Sequence, residues 1–153
     1  MEKINLDITR LRLHDSHLEK ITKLDNTLKI EFDWAFLTDY KEMKIDDGIV
    51  IGKSILEIIG YNKELFKLDF KGSTGFESKT SIEIPFADNI LENWDVILDN
   101  EINEAEKKIK ISGFYEYENI HCWIDWTFEY QEAELKWNSY ALHEEWKKGA
   151  IPE

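Results

Sequence analysis

The sequence predicts a mainly β protein, an antiparallel meander forming a sandwich or partly open barrel with one C-terminal helix. Three observations carry this. Residues 120–131 read I-H-C-W-I-D-W-T-F-E-Y-Q, apolar at every even position and polar at every odd one except Trp123. Side chains alternate faces along a strand, so this run has one buried face and one wet face. The run before it carries Ile109, Ile111, Gly113, Tyr115 and Tyr117 at alternate positions, and only Glu118 and Asn119 lie between the two. That is hairpin spacing. Finally, short alternating runs recur between turn residues along the chain, roughly eight to ten strands in all.

Folding the central hairpin at Glu118-Asn119 sets Tyr117 opposite Ile120, Tyr115 opposite Cys122, Gly113 opposite Ile124, Ile111 opposite Trp126 and Ile109 opposite Phe128. The other face pairs Glu116 with His121, Phe114 with Trp123 and Lys108 with Glu129. A one-residue slip would turn every apolar side chain outward, so the register is specified. Glu-Asn is not a favoured two-residue turn, which leaves a four-residue loop over 117–120 as an alternative of the same parity.

Earlier in the chain, Ile4, Leu6 and Ile8 alternate, and the phase shifts near Arg10 before Leu11 and Leu13, which predicts a bulge or bend. Leu18, Ile21 and Leu24 lead to the turn residues Asp25-Asn26, and Leu28, Ile30, Phe32, Trp34 and Phe36 form the answering strand. Residues 38–48 read as an acidic loop. Residues 49–61 carry isoleucine at both parities, giving one strand covered on both faces or two short strands broken at Gly52. Phe66, Leu68 and Phe70 alternate, Gly72 to Gly75 reads as a loop, and Ile82, Ile84 and Phe86 form a strand whose Pro85 suits an edge or strand end.

Ile90, Leu91, Trp94, Ile97 and Leu98 fit a helical stripe with Asp88 as N-cap, but Trp94, Val96 and Leu98 also alternate. The favoured reading is a helical turn over 88–92, then a strand over 94–102. That strand would lay Trp94, Val96 and Leu98 against Tyr115, Gly113 and Ile111. Beyond Tyr130 the phase changes to Ala133, Leu135 and Trp137. A helix capped by Asn138 or Ser139 should then run to Lys148, where Gly149 and Pro152 stop it. The 153 residues are expected to form a single β-rich domain.

Lysine and arginine number 19 against 32 acids, a net charge of −13. Nucleic acids and anionic membranes bind through positive charge, so neither is expected as a partner. A basic protein is permitted, although such charge also serves solubility alone. Cys122 is the sole cysteine, so no disulfide framework is expected, and no run is of signal-peptide or membrane-spanning length. The expected localisation is cytoplasmic.

Candidate chemistry is sparse. His14-x-x-His17 with Asp15 resembles a fragment of a metal site, but it lacks further ligands at a diagnostic spacing. The plainer reading is a His-Asp-Ser turn, with no tightly bound zinc and no cofactor. His143-Glu144-Glu145 lacks the second histidine of a zinc-protease helix, and Cys122 faces the expected core, where a thiol is inert. The sharper feature is Phe114 opposite Trp123 on the polar face, with Glu116, His121 and Asp125 around them. An aromatic pair ringed by acids suits a cationic partner. Alternatively, the C-terminal helix covers the pair through Trp137, Leu142 and Trp146.

The stretch L-H-D-S-H-L-E-K-I at residues 13–21, followed by T-L-K-I-E-F-D-W, resembles the opening of small acidic β-rich bacterial immunity proteins of polymorphic toxin systems. The resemblance covers about the first quarter of the chain and transfers no binding residues. It implies a cytosolic protein that binds and blocks a toxin without chemistry of its own. Two other readings stand beside it. One is a small-molecule-binding barrel or sandwich with a cavity lined by Trp34, Tyr115 and Trp126. The other is a metal-dependent enzyme using His14, Asp15 and His17.

Overall fold

A computed structural model describes residues 2–4, 8–70 and 81–153 of the chain. In chain order, β1 (Glu2–Ile4) precedes a 3-10 turn (Ile8–Arg10) and β2 (Leu11–Arg12). A hairpin of β3 (Leu18–Leu24) and β4 (Thr27–Phe32) leads to β5 (Ala35–Leu37). After a second 3-10 turn (Lys41–Met43) come β6 (Ile49–Ile51), β7 (Ser54–Ile59), β8 (Asn62–Asp69) and β9 (Ser81–Ile84). One helical turn, α1 (Ile90–Asn93), runs directly into β10 (Trp94–Asn103), followed by β11 (Lys108–Tyr117) and β12 (Ile120–Glu129). The chain ends with β13 (Glu132–Trp137), β14 (Tyr140–Leu142) and α2 (His143–Lys147).

These strands form three antiparallel sheets, ordered β1-β13-β7-β4-β3, β10-β11-β12-β8-β9 and β14-β6-β5-β2, with no closed barrel. Their inner faces contribute to one hydrophobic core that includes Ile30, Leu56 and Leu135 of the first sheet, Ile111, Ile124 and Trp126 of the second, and Leu37 and Ile51 of the third. The described residues make fourteen strands rather than eight to ten, because runs such as 35–37, 49–51 and 140–142 are three-residue strands of the small third sheet.

The central hairpin has the register read from its alternation, from Lys108↔Glu129 to Tyr117↔Ile120. Its turn is the two-residue form and not the longer loop: Glu118 and Asn119 both take left-handed backbone, at φ 48° and 66°. Left-handed backbone at both turn residues matches the twist of the flanking strands, so the parity-driven register outweighs the poor turn propensity of glutamate. Trp126 is fully buried, stacked on Phe66 at 5.2 Å and packed against Phe128 at 5.3 Å. Its indole N–H donates to Glu64 Oε2 at 3.0 Å, and Glu64 also pairs with Lys23 of β3, whose Nζ lies 3.8 Å from the Phe86 ring centroid. An ion pair thus bridges the first and second sheets beside one of the two largest core side chains.

Several expectations need correction. The strand over 94–102 exists as β10, but it is bulged, with register shifts on both sides of Ile97. Ile97, not Val96, lies opposite Gly113 and is fully buried, while Val96 and Leu98 are half-buried. A Cβ at Gly113 would sit 2.1 Å from the Val96 carbonyl oxygen and 2.7 Å from Trp94 Nε1, so the bulge needs a glycine opposite it. Helix α1 begins at Ile90, with Asn89 rather than Asp88 before it. The phase shift near Arg10 is a 3-10 turn, and residues 138–142 are not helical: they supply β14, and α2 starts only at His143. At its start Glu145 accepts the Leu142 N–H at 3.0 Å, and at its end Gly149, at φ 102°, donates to the Trp146 carbonyl at 3.0 Å. Residues 49–61 are two strands, and β9, with Pro85 just beyond it, is an edge strand. Leu6 and the loop from Gly72 to Gly75 lie outside the described residues.

Candidate functional site

The outer face of the β10-β11-β12-β8-β9 sheet is where the candidate residues meet. Odd positions of β12 point outward, as do even positions of β11, so register places Phe114 beside Trp123, Glu116 beside His121 and Ser112 beside Asp125. The Phe114 and Trp123 rings meet edge to face, with centroids 6.3 Å apart and planes at 88°. Phe114 is 50% exposed and Trp123 is half-buried. Edge-to-face contact aligns the positive ring edge with the negative ring face, which orients the pair beyond simple burial.

The acids around this pair divide into two kinds. Asp125 Oδ1 accepts the Trp123 indole N–H at 2.7 Å and also the hydroxyl of Ser112, which is only 1% exposed. Asp125 is therefore committed to orienting Trp123. Glu116 is exposed and forms no ion pair among the described residues. Glu92 and Asp95, at the junction of α1 and β10, are likewise exposed and unpaired, and they share with Phe114, Glu116 and His121 a recess of about 310 Å³. The sequence reading missed Glu92 and Asp95. Its own pairing of Trp94 with Tyr115 held the signal, since the next residue, Asp95, must then face outward near Phe114.

The C-terminal helix does not cover this face. Trp146 stacks on Trp34 at 6.1 Å and on His143 at 6.1 Å, and His143 meets Phe36 edge-on at 5.4 Å. This four-ring stack seats α2 against the third sheet. Trp137 is fully buried and packs against Tyr40 at 5.5 Å.

The other candidates have structural partners. The His14-Asp15-Ser16 turn docks on the bulge of β10: the Asp15 N–H donates to the Ile97 carbonyl at 2.8 Å, and the Ile97 N–H donates to the Ser16 carbonyl at 2.9 Å. His14 Nδ1 lies 2.7 Å from the Leu98 carbonyl oxygen, whereas His17 Nδ1 lies 3.0 Å from Asp33 Oδ2. The two imidazoles thus hold different elements. Among the described residues, no group of three or more His, Cys, Asp or Glu side chains is placed to hold a metal ion. Trp34 sits against Trp146 and Trp126 is enclosed by core rings, so the expected cavity of Trp34, Tyr115 and Trp126 is not assembled. Burial, with a smaller contribution from the Asp69 charge, pushes the Cys122 thiol up to about 11, which keeps it protonated and unreactive near neutrality.

No protein-family model, no curated protein and no solved structure matches this chain.

Proposed function

We propose that this chain is a non-enzymatic protein-binding module of the immunity type, which neutralises a toxin by occupying its surface. The observation that carries the reading is the outer face of the second sheet, where the described residues leave Phe114 half exposed and set edge to face with Trp123. An antiparallel sheet tolerates one wet face, but an aromatic pair held in fixed orientation there has the character of a contact anchor. The oriented Trp123 loses little further freedom when it is covered, which favours binding. The acidic balance of the chain suits a basic partner and fast, steered association.

The test is growth of cells expressing the protein encoded beside this chain, alone and together with it, followed by purification of both from the same cells. The expected result is growth arrest by the neighbour alone, relief on co-expression and a stoichiometric complex. A harmless neighbour, or arrest that persists with no complex formed, would contradict the reading.

A further inference from the structure

The two ends of the same sheet face differ in how their acids are used. At the far end a groove of about 490 Å³ has acids and lysines in pairs: Lys63 with Glu129 at 3.2 Å, Lys108 with Glu106 at 3.6 Å and Lys110 with Glu101 at 3.9 Å. At the aromatic end, the recess beside Phe114 has Glu92, Asp95 and Glu116 on its walls and, among the described residues, no lysine or arginine. These three carboxylates converge from the α1–β10 junction and from β11, and none has a cation among the described residues. Three carboxylates around one recess repel one another and would be relieved by an incoming cation.

We infer that the partner docks on this end of the face by seating an arginine side chain in the recess, its guanidinium lying on Phe114 and its N–H groups reaching Glu116 and the acids of the α1–β10 junction. A planar guanidinium lies flat on an aromatic ring while its edge N–H groups donate to carboxylates in a fixed fork, whereas an ammonium donates to carboxylates but has no plane to lay on the ring. The exposed half of Phe114 supplies the ring surface, and Trp123, fixed by Asp125, meets that ring edge to face. The inference rests on the protein-binding reading and names the chemistry of its partner.

The test uses the full chain and a hexa-arginine peptide, followed by the Trp123 indole N–H signal in NMR titration. Two variants of equal net charge are compared, Glu92→Gln/Asp95→Asn/Glu116→Gln at the recess and Glu101→Gln/Glu104→Gln/Glu106→Gln at the far end. All six residues are exposed, so both variants should keep the parent melting midpoint. The expected result is a saturable shift of the Trp123 signal, at least about tenfold weaker binding in the recess variant and less than about twofold change in the far-end variant. Equal weakening in both variants, shifts centred elsewhere, or equal affinity for hexalysine would overturn the inference. In the co-expression assay, full protection by the recess variant would sink this inference and leave the protein-binding reading standing, whereas no protection by the parent chain would sink that reading itself.

Discussion

Asp125 accepts the indole N–H of Trp123 at 2.7 Å, and through that bond an acid on the wet face serves to aim a ring. Its oxygen also takes the hydroxyl of nearly buried Ser112. Asp125→Ala leaves two donors unsatisfied and should cost about 1–3 kcal/mol. Glu116→Ala, on the same face and without an ion pair among the described residues, should change stability by less than about 0.5 kcal/mol. Urea denaturation midpoints of the two variants check this; equal midpoints would mean that Asp125 holds nothing.

A second expectation concerns Glu64, which joins Lys23 of one sheet to Trp126 of the other. Glu64→Ala strands the indole N–H and a lysine on the Phe86 ring, and should cost about 2–3 kcal/mol. Glu64→Gln retains an acceptor for Trp126 and should cost less. Thermal unfolding of both variants decides the order, and a Gln variant no better than Ala would place the whole effect on Lys23.

Gly113 should not tolerate a side chain. In Gly113→Ala the new Cβ meets the Val96 carbonyl, a backbone atom with little room to move. The bulge of β10 must shift, at a cost of about 2–3 kcal/mol. Amide exchange should quicken at Ile97 and Asp15, whose backbone groups bond across that bulge. An Ala variant with parent stability and parent exchange would contradict the close approach.

Acid sensitivity should centre on Arg10. This guanidinium, 7% exposed, donates to both oxygens of Glu42 at 2.8 Å and to Asp39 at 2.9 Å. The hydrogen bond from Arg10 holds the Glu42 carboxyl below its usual 4.5, against a smaller opposing effect of burial. A carboxyl whose pKa is depressed by folding adds stability above its unfolded value, and that stability is lost as pH falls through the folded one. Stability of the parent chain should therefore drop below about pH 4.5 more steeply than that of Glu42→Gln. Parallel acid limbs, measured by urea midpoints from pH 3 to 7, would contradict this.

The central hairpin was legible because parity is a strong, local signal: Ile109, Ile111, Ile124, Trp126 and Phe128 allow one register only. The bulge at Ile97 was not, because the His14-Asp15-Ser16 turn that pairs with it lies more than 80 residues away in the chain. The end of the chain was misjudged for a similar reason. Leu142 and Trp146, one turn apart, fit a helical stripe, but β6 offers Ile51 and Ile49 as backbone partners to Tyr140 and Leu142, and pairing across the third sheet overrides helix propensity. At the candidate site, the aromatic pair followed from hairpin register, whereas the division of its acids into orienting and unpaired ones depends on side-chain geometry that spacing alone does not carry.

The most direct measurement of the central claim is protection in the co-expression assay by Phe114→Arg, set beside Phe36→Arg. Phe114 is half in solvent, so its replacement should leave the fold intact while placing a positive charge at the contact anchor. Phe36 belongs to the separate ring stack at α2 and serves as the control. Loss of protection by Phe114→Arg at an unchanged melting midpoint, with protection kept by any folded Phe36→Arg, is the result this account requires. Full protection by Phe114→Arg would contradict it.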